Sequence, residues 1–207
     1  MAADHRYAIL IPCMDSVRTG FMTSLLNLRR PQGSPVIVSE SSLIYSARHM
    51  LGEYALESGC DRVLWLDSDM RFEPDLLERL SADIDDGREL VAALYVRRSL
   101  PVTPVIYSAV SYEKKDSEIL TDAEIFRDYP RGRVFGIAGC GFGAVMMTTG
   151  LLRRVTAAFG APFLPMGGLG EDLSFCWRAG RIGEKLWCDS RIRVGHIGLT
   201  DYVPEES

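Results

Sequence analysis

Residues 62–69 read Arg-Val-Leu-Trp-Leu-Asp-Ser-Asp, an apolar run that ends abruptly in two carboxylates one residue apart. In extended chain, side chains at i and i+2 point the same way, so Asp67 and Asp69 converge while Ser68 turns aside. Two carboxylates converging at the end of a buried strand repel each other unless something positive lies between them. Mg²⁺ or Mn²⁺ suits oxygen ligands and, held by few protein groups, keeps positions open for phosphate oxygens. The stretch reads as a metal–diphosphate site; the plainer alternative is a strand-end turn, where aspartate is common. A second acidic pair, Glu171 and Asp172, follows Gly167, Gly168 and Gly170 at the start of a helix pattern. There the acids either take part in chemistry or simply oppose the helix dipole. His196, after a late strand pattern, reads as a further ligand or as a packed histidine.

The elements that must position these groups alternate through the first half of the chain. A strand at 7–11, ended by Pro12, precedes a helix capped by Thr19, with Phe21, Leu25, Leu26 and Leu28 on its apolar side. After a strand at 36–38, Leu43, Ala47, Met50, Leu51, Tyr54 and Ala55 keep helical spacing, with Gly59 placed as the C′ residue. The strand at 62–66 carries the aspartates. Pro74 suits the first turn of a helix facing inward through Leu76, Leu77 and Leu80, and a fourth strand spans 90–96. This βαβαβαβ order predicts an α/β single domain with a Rossmann-like, mostly parallel central sheet and helices on both faces. Ligands of such sheets bind beyond the carboxyl strand ends.

The second half predicts mixed strands. Residues 97–133, rich in proline, tyrosine and charge, read as short strands and loops, either an acceptor wall or a surface insertion. Glycines 136, 139, 141 and 143 interrupt the apolar stretch 134–147, where glycine permits close approach of a ligand or another backbone. A helix at 149–159 ends at Gly160, and the glycine loop 167–170 is a candidate lid. Strands at 185–188 and 191–194 lead to His196.

The 207 residues carry a formal charge of −5, which offers no basic field for nucleic acid. The paired arginines, Arg97 and Arg98 among them, read as solvated faces. Five cysteines, odd in number and without a CxxC pair, read as small buried hydrophobes in a reducing compartment rather than as a zinc site. Trp65, Trp177 and Trp187 lie in apolar settings and read as core. With no apolar h-region at the start and no membrane-spanning run, a cytoplasmic location is expected.

Taken in order, the acidic pair 67/69 after a strand, the glycine-rich strand, Gly170-Glu171-Asp172 opening a helix and Gly195-His196 resemble a GT-A glycosyltransferase of the family 2 type. The resemblance covers most of residues 7–198. It implies a nucleotide-sugar-binding half at about 7–96 and an acceptor and catalytic half at about 97–198. It implies that Asp67 and Asp69 are a DxD motif holding Mn²⁺ or Mg²⁺ and helping to place the donor. Asp172 becomes the general base, with Glu171 sharing that role or positioning the acceptor, and His196 a later metal ligand. Pro12 falls in the nucleotide-side loop after the first strand, and Arg48 on the second helix falls near the nucleotide. Implied partners are a UDP- or GDP-linked sugar donor and a carbohydrate or other hydroxyl acceptor, with inversion at the transferred carbon. Two other readings stay open: a non-catalytic sugar- or nucleotide-binding relative, and a phosphohydrolase of the haloacid dehalogenase type.

Overall fold

The computed structural model describes residues 5–116, 118–198 and 201–203. In chain order its elements are β1 (Tyr7–Cys13), α1 (Thr19–Asn27), β2 (Val36–Glu40), α2 (Ile44–Glu57), β3 (Arg62–Leu66), β4 (Met70–Arg71), α3 (Leu76–Asp85) and β5 (Leu90–Leu94). There follow β6 (Ile106–Lys115), β7 (Glu118–Ile125), β8 (Val134–Ile137), β9 (Gly139–Cys140), β10 (Ala144–Thr148), α4 (Thr149–Phe159), α5 (Glu171–Arg181), β11 (Leu186–Arg193), β12 (Gly195–Ile197) and β13 (Asp201–Tyr202). Seven strands form the central sheet in the order β2-β1-β3-β10-β5-β11-β8. Strands β2, β1, β3, β5 and β11 run one way; β10 and β8 run against them.

The sheet is covered on both faces, which is why β3 and β5 are buried along their whole length and, Arg62 apart, apolar. On one face α1 and α3 pack through Phe21, Leu25, Leu77 and Leu80 against Ile9, Leu64 and Leu66. On the other, α2, α4 and α5 pack through Leu51, Leu152 and Phe175 around Trp65, Phe142 and Phe163. Phe163 stacks on Phe175 and meets Trp65 edge-on, so a dense aromatic layer lies directly beneath the end of β3. Trp65 is core, as its setting implied, while Trp177 and Trp187 are half-buried. All five cysteines are free and buried.

Several expectations need correction. Pro12 does not end β1: it pairs with Ser39 of β2, and since pairing with β3 stops at Leu10, its missing N–H is not needed on that side. Thr19 is the first helical residue of α1, with Arg18 in the cap position and no side-chain cap. Leu26 is 76% exposed and Met50 also faces solvent, so the apolar stripes of α1 and α2 are narrower than their composition implied. Pro74 precedes α3, whose cap position is Asp75. The late strands at 185–188 and 191–194 are one strand, β11. Within 97–133 lies a long antiparallel hairpin, β6–β7, extended by β9 into a separate sheet. A third small sheet, β13-β12-β4, joins the chain just after Asp69 to His196.

Glycines 141 and 143 do make room, but for a side chain of the protein itself. A Cβ at Gly141 would run into the Tyr95 hydroxyl, and one at Gly143 would lie 2.9 Å from the Tyr95 ring.

Candidate active site

The aspartates follow β3 because its hydrogen-bond ladder runs out there. The Asp67 N–H donates to the Gly143 carbonyl, the last tie to the neighbouring chain, and Met70 N–H donates back to the Asp67 carbonyl to close a turn. β4 then pairs with β12, setting His196 opposite Met70, while Ile197 N–H donates to the Asp69 carbonyl. Two paired positions between β4 and β12 are thus enough to bring a histidine from the far end of the chain to Asp69.

His196 Nε2 stands 3.4 Å from Asp69 Oδ2, and Nδ1 lies 2.9 Å from the Val96 carbonyl oxygen. A carbonyl only accepts, so Nδ1 carries the proton, and in the neutral ring Nε2 presents a lone pair. The edge of Tyr95 fixes the ring from one side, at 5.5 Å between centroids. The same Asp69 oxygen is 2.9 Å from Arg98 Nη1. Burial raises the Asp69 pKa, but the hydrogen bond and charge of a protonated His196, joined by Arg98, outweigh it and hold the group below the ordinary value.

Asp67 has a different partner. Arg48, 2% exposed, donates from Nη2 to Asp67 Oδ1 at 2.7 Å and from Nε to Glu171 Oε1 at 3.2 Å. Its guanidinium lies against the rings of Trp65 and Phe142, at 5.7 and 5.4 Å from their centroids. Burial raises the Asp67 pKa despite Arg48, with Asp69 adding to the effect. Arg48, expected near the nucleotide, is visibly the tie between the end of β3 and the start of α5.

Glu171 and Asp172 occupy the first turn of α5, whose cap residue Gly170 supplies no side chain. Asp172 Oδ1 accepts from the Leu173 N–H at 2.7 Å. Burial, reinforced by the neighbouring Glu171 charge, nevertheless pushes Asp172 up to about 6, so desolvation outweighs the helix dipole and the backbone donor. The glycine loop before it is not loose in this structure. Met166 and Leu169 exchange backbone hydrogen bonds, and Ser174 Oγ accepts from Met166 N–H and donates to the Leu169 carbonyl. Ile119 and Thr121 of β7 press on Gly167 and Gly168 so closely that a Cβ at either would overlap them. The candidate lid is a clamped turn.

Pro12, Arg48, Asp67, Asp69, Glu171 and His196 all line one cleft of about 390 Å³ at the carboxyl ends of β1, β3 and β5. Asp172 is not on its lining. Sequence reasoning missed Arg18, Ile44, Ser68 and Arg98. Arg98 has the composition of a solvated face; the signal that marks it is its place just past the end of β5, where ligands of such sheets bind. Among the described residues no group of three His, Cys, Asp or Glu side chains is gathered to hold a metal ion unaided.

A large mixed α/β sheet flanked by helices, with acidic groups gathered beyond its parallel strand ends, is consistent with a Rossmann-like GT-A fold. No helix among the described residues is long and apolar enough to cross a membrane. No family model and no curated protein matches the sequence. Among solved structures the chain is similar to A197 from STIV, with a TM-score of 0.69 and 16% identity over 98% of this chain and 95% of that one. It is also similar to residues 1–349 of TarS from S. aureus, with a TM-score of 0.50 and 13% identity over 84% of this chain and 55% of that one. At these identities the likeness concerns the fold alone.

Proposed function

We propose that the protein is a metal-dependent glycosyltransferase that moves a sugar from a UDP- or GDP-linked donor to an acceptor hydroxyl, with inversion. The glycosyltransferase-like fold supports the class. The observation that carries the reading is the pairing of Asp69 with His196, whose Nδ1 is fixed on a backbone carbonyl so that Nε2 faces the carboxylate. Metal-bound histidines are oriented in this way. Asp69 and His196, with Asp67 alongside, would hold a divalent cation, an oxygen and imidazole donor set that suits Mn²⁺. When bound, such an ion would supply positive charge to offset that of the departing diphosphate.

The remaining work falls to the chain. Arg48 holds Asp67 and Glu171 in register and balances their charge. Asp172, with a pKa near the working range, takes the proton of the acceptor hydroxyl, and Glu171 positions the acceptor. Pro12 and the segment after β1 form the nucleotide side of the cleft.

Calorimetric titration of UDP, GDP and ADP, each with and without Mn²⁺, tests the proposal on wild type and Asp69→Ala. Metal-dependent binding of one nucleotide, abolished by the substitution, supports it. Binding that ignores both metal and substitution defeats the metal role. Donor consumption by wild type and its loss in Asp172→Asn separates an enzyme from a binding module.

A further inference from the structure

Arg98 and His196 address the same atom, Asp69 Oδ2, at 2.9 and 3.4 Å. A dication sharing that oxygen with His196 would stand against the Arg98 guanidinium, and like charges at that range repel. Arg98 has room to turn: its side chain is 45% exposed on the segment after β5, whose backbone is tied by the Arg97 N–H to the Thr103 carbonyl. The other cations of the cleft are differently placed. Arg48 is buried and committed to Asp67 and Glu171, and Arg18 lines the cleft from the segment after β1, tied by its backbone N–H to the Ser68 carbonyl. Arg98 is therefore the guanidinium next to where the diphosphate would meet the metal carboxylate, and its fork matches phosphate oxygens.

We propose that Arg98 is a donor-binding residue that exchanges partners, holding Asp69 before donor binds and turning to the donor diphosphate when a divalent cation takes the carboxylate. The role rests on the donor-site reading given above. It makes cation and diphosphate bind together: the cation alone must displace Arg98, whereas with diphosphate present the displaced guanidinium gains a better acceptor.

Two titrations on wild type, Arg98→Gln and Arg98→Lys test this. One follows free Mn²⁺ by electron paramagnetic resonance without nucleotide; the other follows UDP, GDP and ADP by calorimetry in saturating Mn²⁺. Arg98→Gln is expected to bind Mn²⁺ alone about threefold more tightly, the scale of a half-exposed ion pair removed. It is expected to bind the preferred nucleotide about tenfold more weakly, the scale of one charge-assisted hydrogen bond. Arg98→Lys should fall between the two in both titrations. Unchanged Mn²⁺ affinity in Arg98→Gln, or unchanged nucleotide affinity, overturns the exchange. If wild type binds the nucleotide with Mn²⁺ and Arg98→Gln matches it throughout, only the role of Arg98 falls. If wild type binds none of the three nucleotides, the donor-site reading falls with it.

Discussion

Replacing Asp172 by Asn should stabilise the protein in a way that depends on pH. The carboxyl is pushed up to about 6 from an ordinary 3.8, chiefly by burial and then by Glu171. A group whose folded pKa lies above its unfolded value binds more protons in the native state across that window, so stability falls as pH rises from about 4 to about 6 and stays lower above it. The gap corresponds, at about 1.4 kcal/mol per pH unit, to at most roughly 3 kcal/mol of strain at neutral pH. Asn keeps the acceptor for the Leu173 N–H and removes the charge, so Asp172→Asn should melt about 5–10 °C higher at pH 7.5 and match wild type near pH 4. Scanning calorimetry of both proteins in half-unit steps from pH 4 to 8 reads this directly. Asp83, also pushed up to about 6 by burial and by Asp189, contributes to both proteins and cancels in the difference. A melting difference that is flat across pH would refute the reasoning, because an uncharged packing effect has no reason to titrate. The gain should come with a loss of turnover of about 10²–10⁴-fold, and wild-type turnover should rise through about pH 6 as Asp172 ionises.

Other substitutions probe the supports of the site. Arg48→Ala leaves Asp67 and Glu171 without their shared counter-charge and should cost about 3–5 kcal/mol in urea unfolding; a cost under about 1 kcal/mol would show that the tie is dispensable. Gly141→Ala drives a Cβ into the Tyr95 hydroxyl and should cost about 1–3 kcal/mol, with part recovered in the Tyr95→Phe background. Equal costs in both backgrounds would mean that the oxygen is not the obstacle.

How far the sequence reveals the molecule depends on whether a signal is local. Strand β3 and its aspartates are legible because an uninterrupted apolar run ending in charge is both a buried strand and a carboxyl-end site. Helices α4 and α5 are legible from capping signals: Gly160 after one, with φ +74, and two first-turn acids in the other. The insertion of β10 between β3 and β5 is not, because antiparallel pairing across that distance leaves no mark on either partner's own pattern. The β6–β7 hairpin hides because much of it is exposed, so polar residues interrupt the alternation that would announce it. In the site, Asp67, Asp69, Glu171 and His196 stood out by type and position, whereas Arg98 looked like any surface arginine until the sheet placed it at a strand end.

The most direct measurement is a crystal structure of the protein with Mn²⁺ and its preferred nucleoside diphosphate, with the ion located by anomalous scattering. The expected peak lies within about 2.2 Å of an Asp69 oxygen and of His196 Nε2, with diphosphate oxygens completing the shell. A nucleotide bound elsewhere, or seated in this cleft with no ion at Asp69, would contradict the assignment.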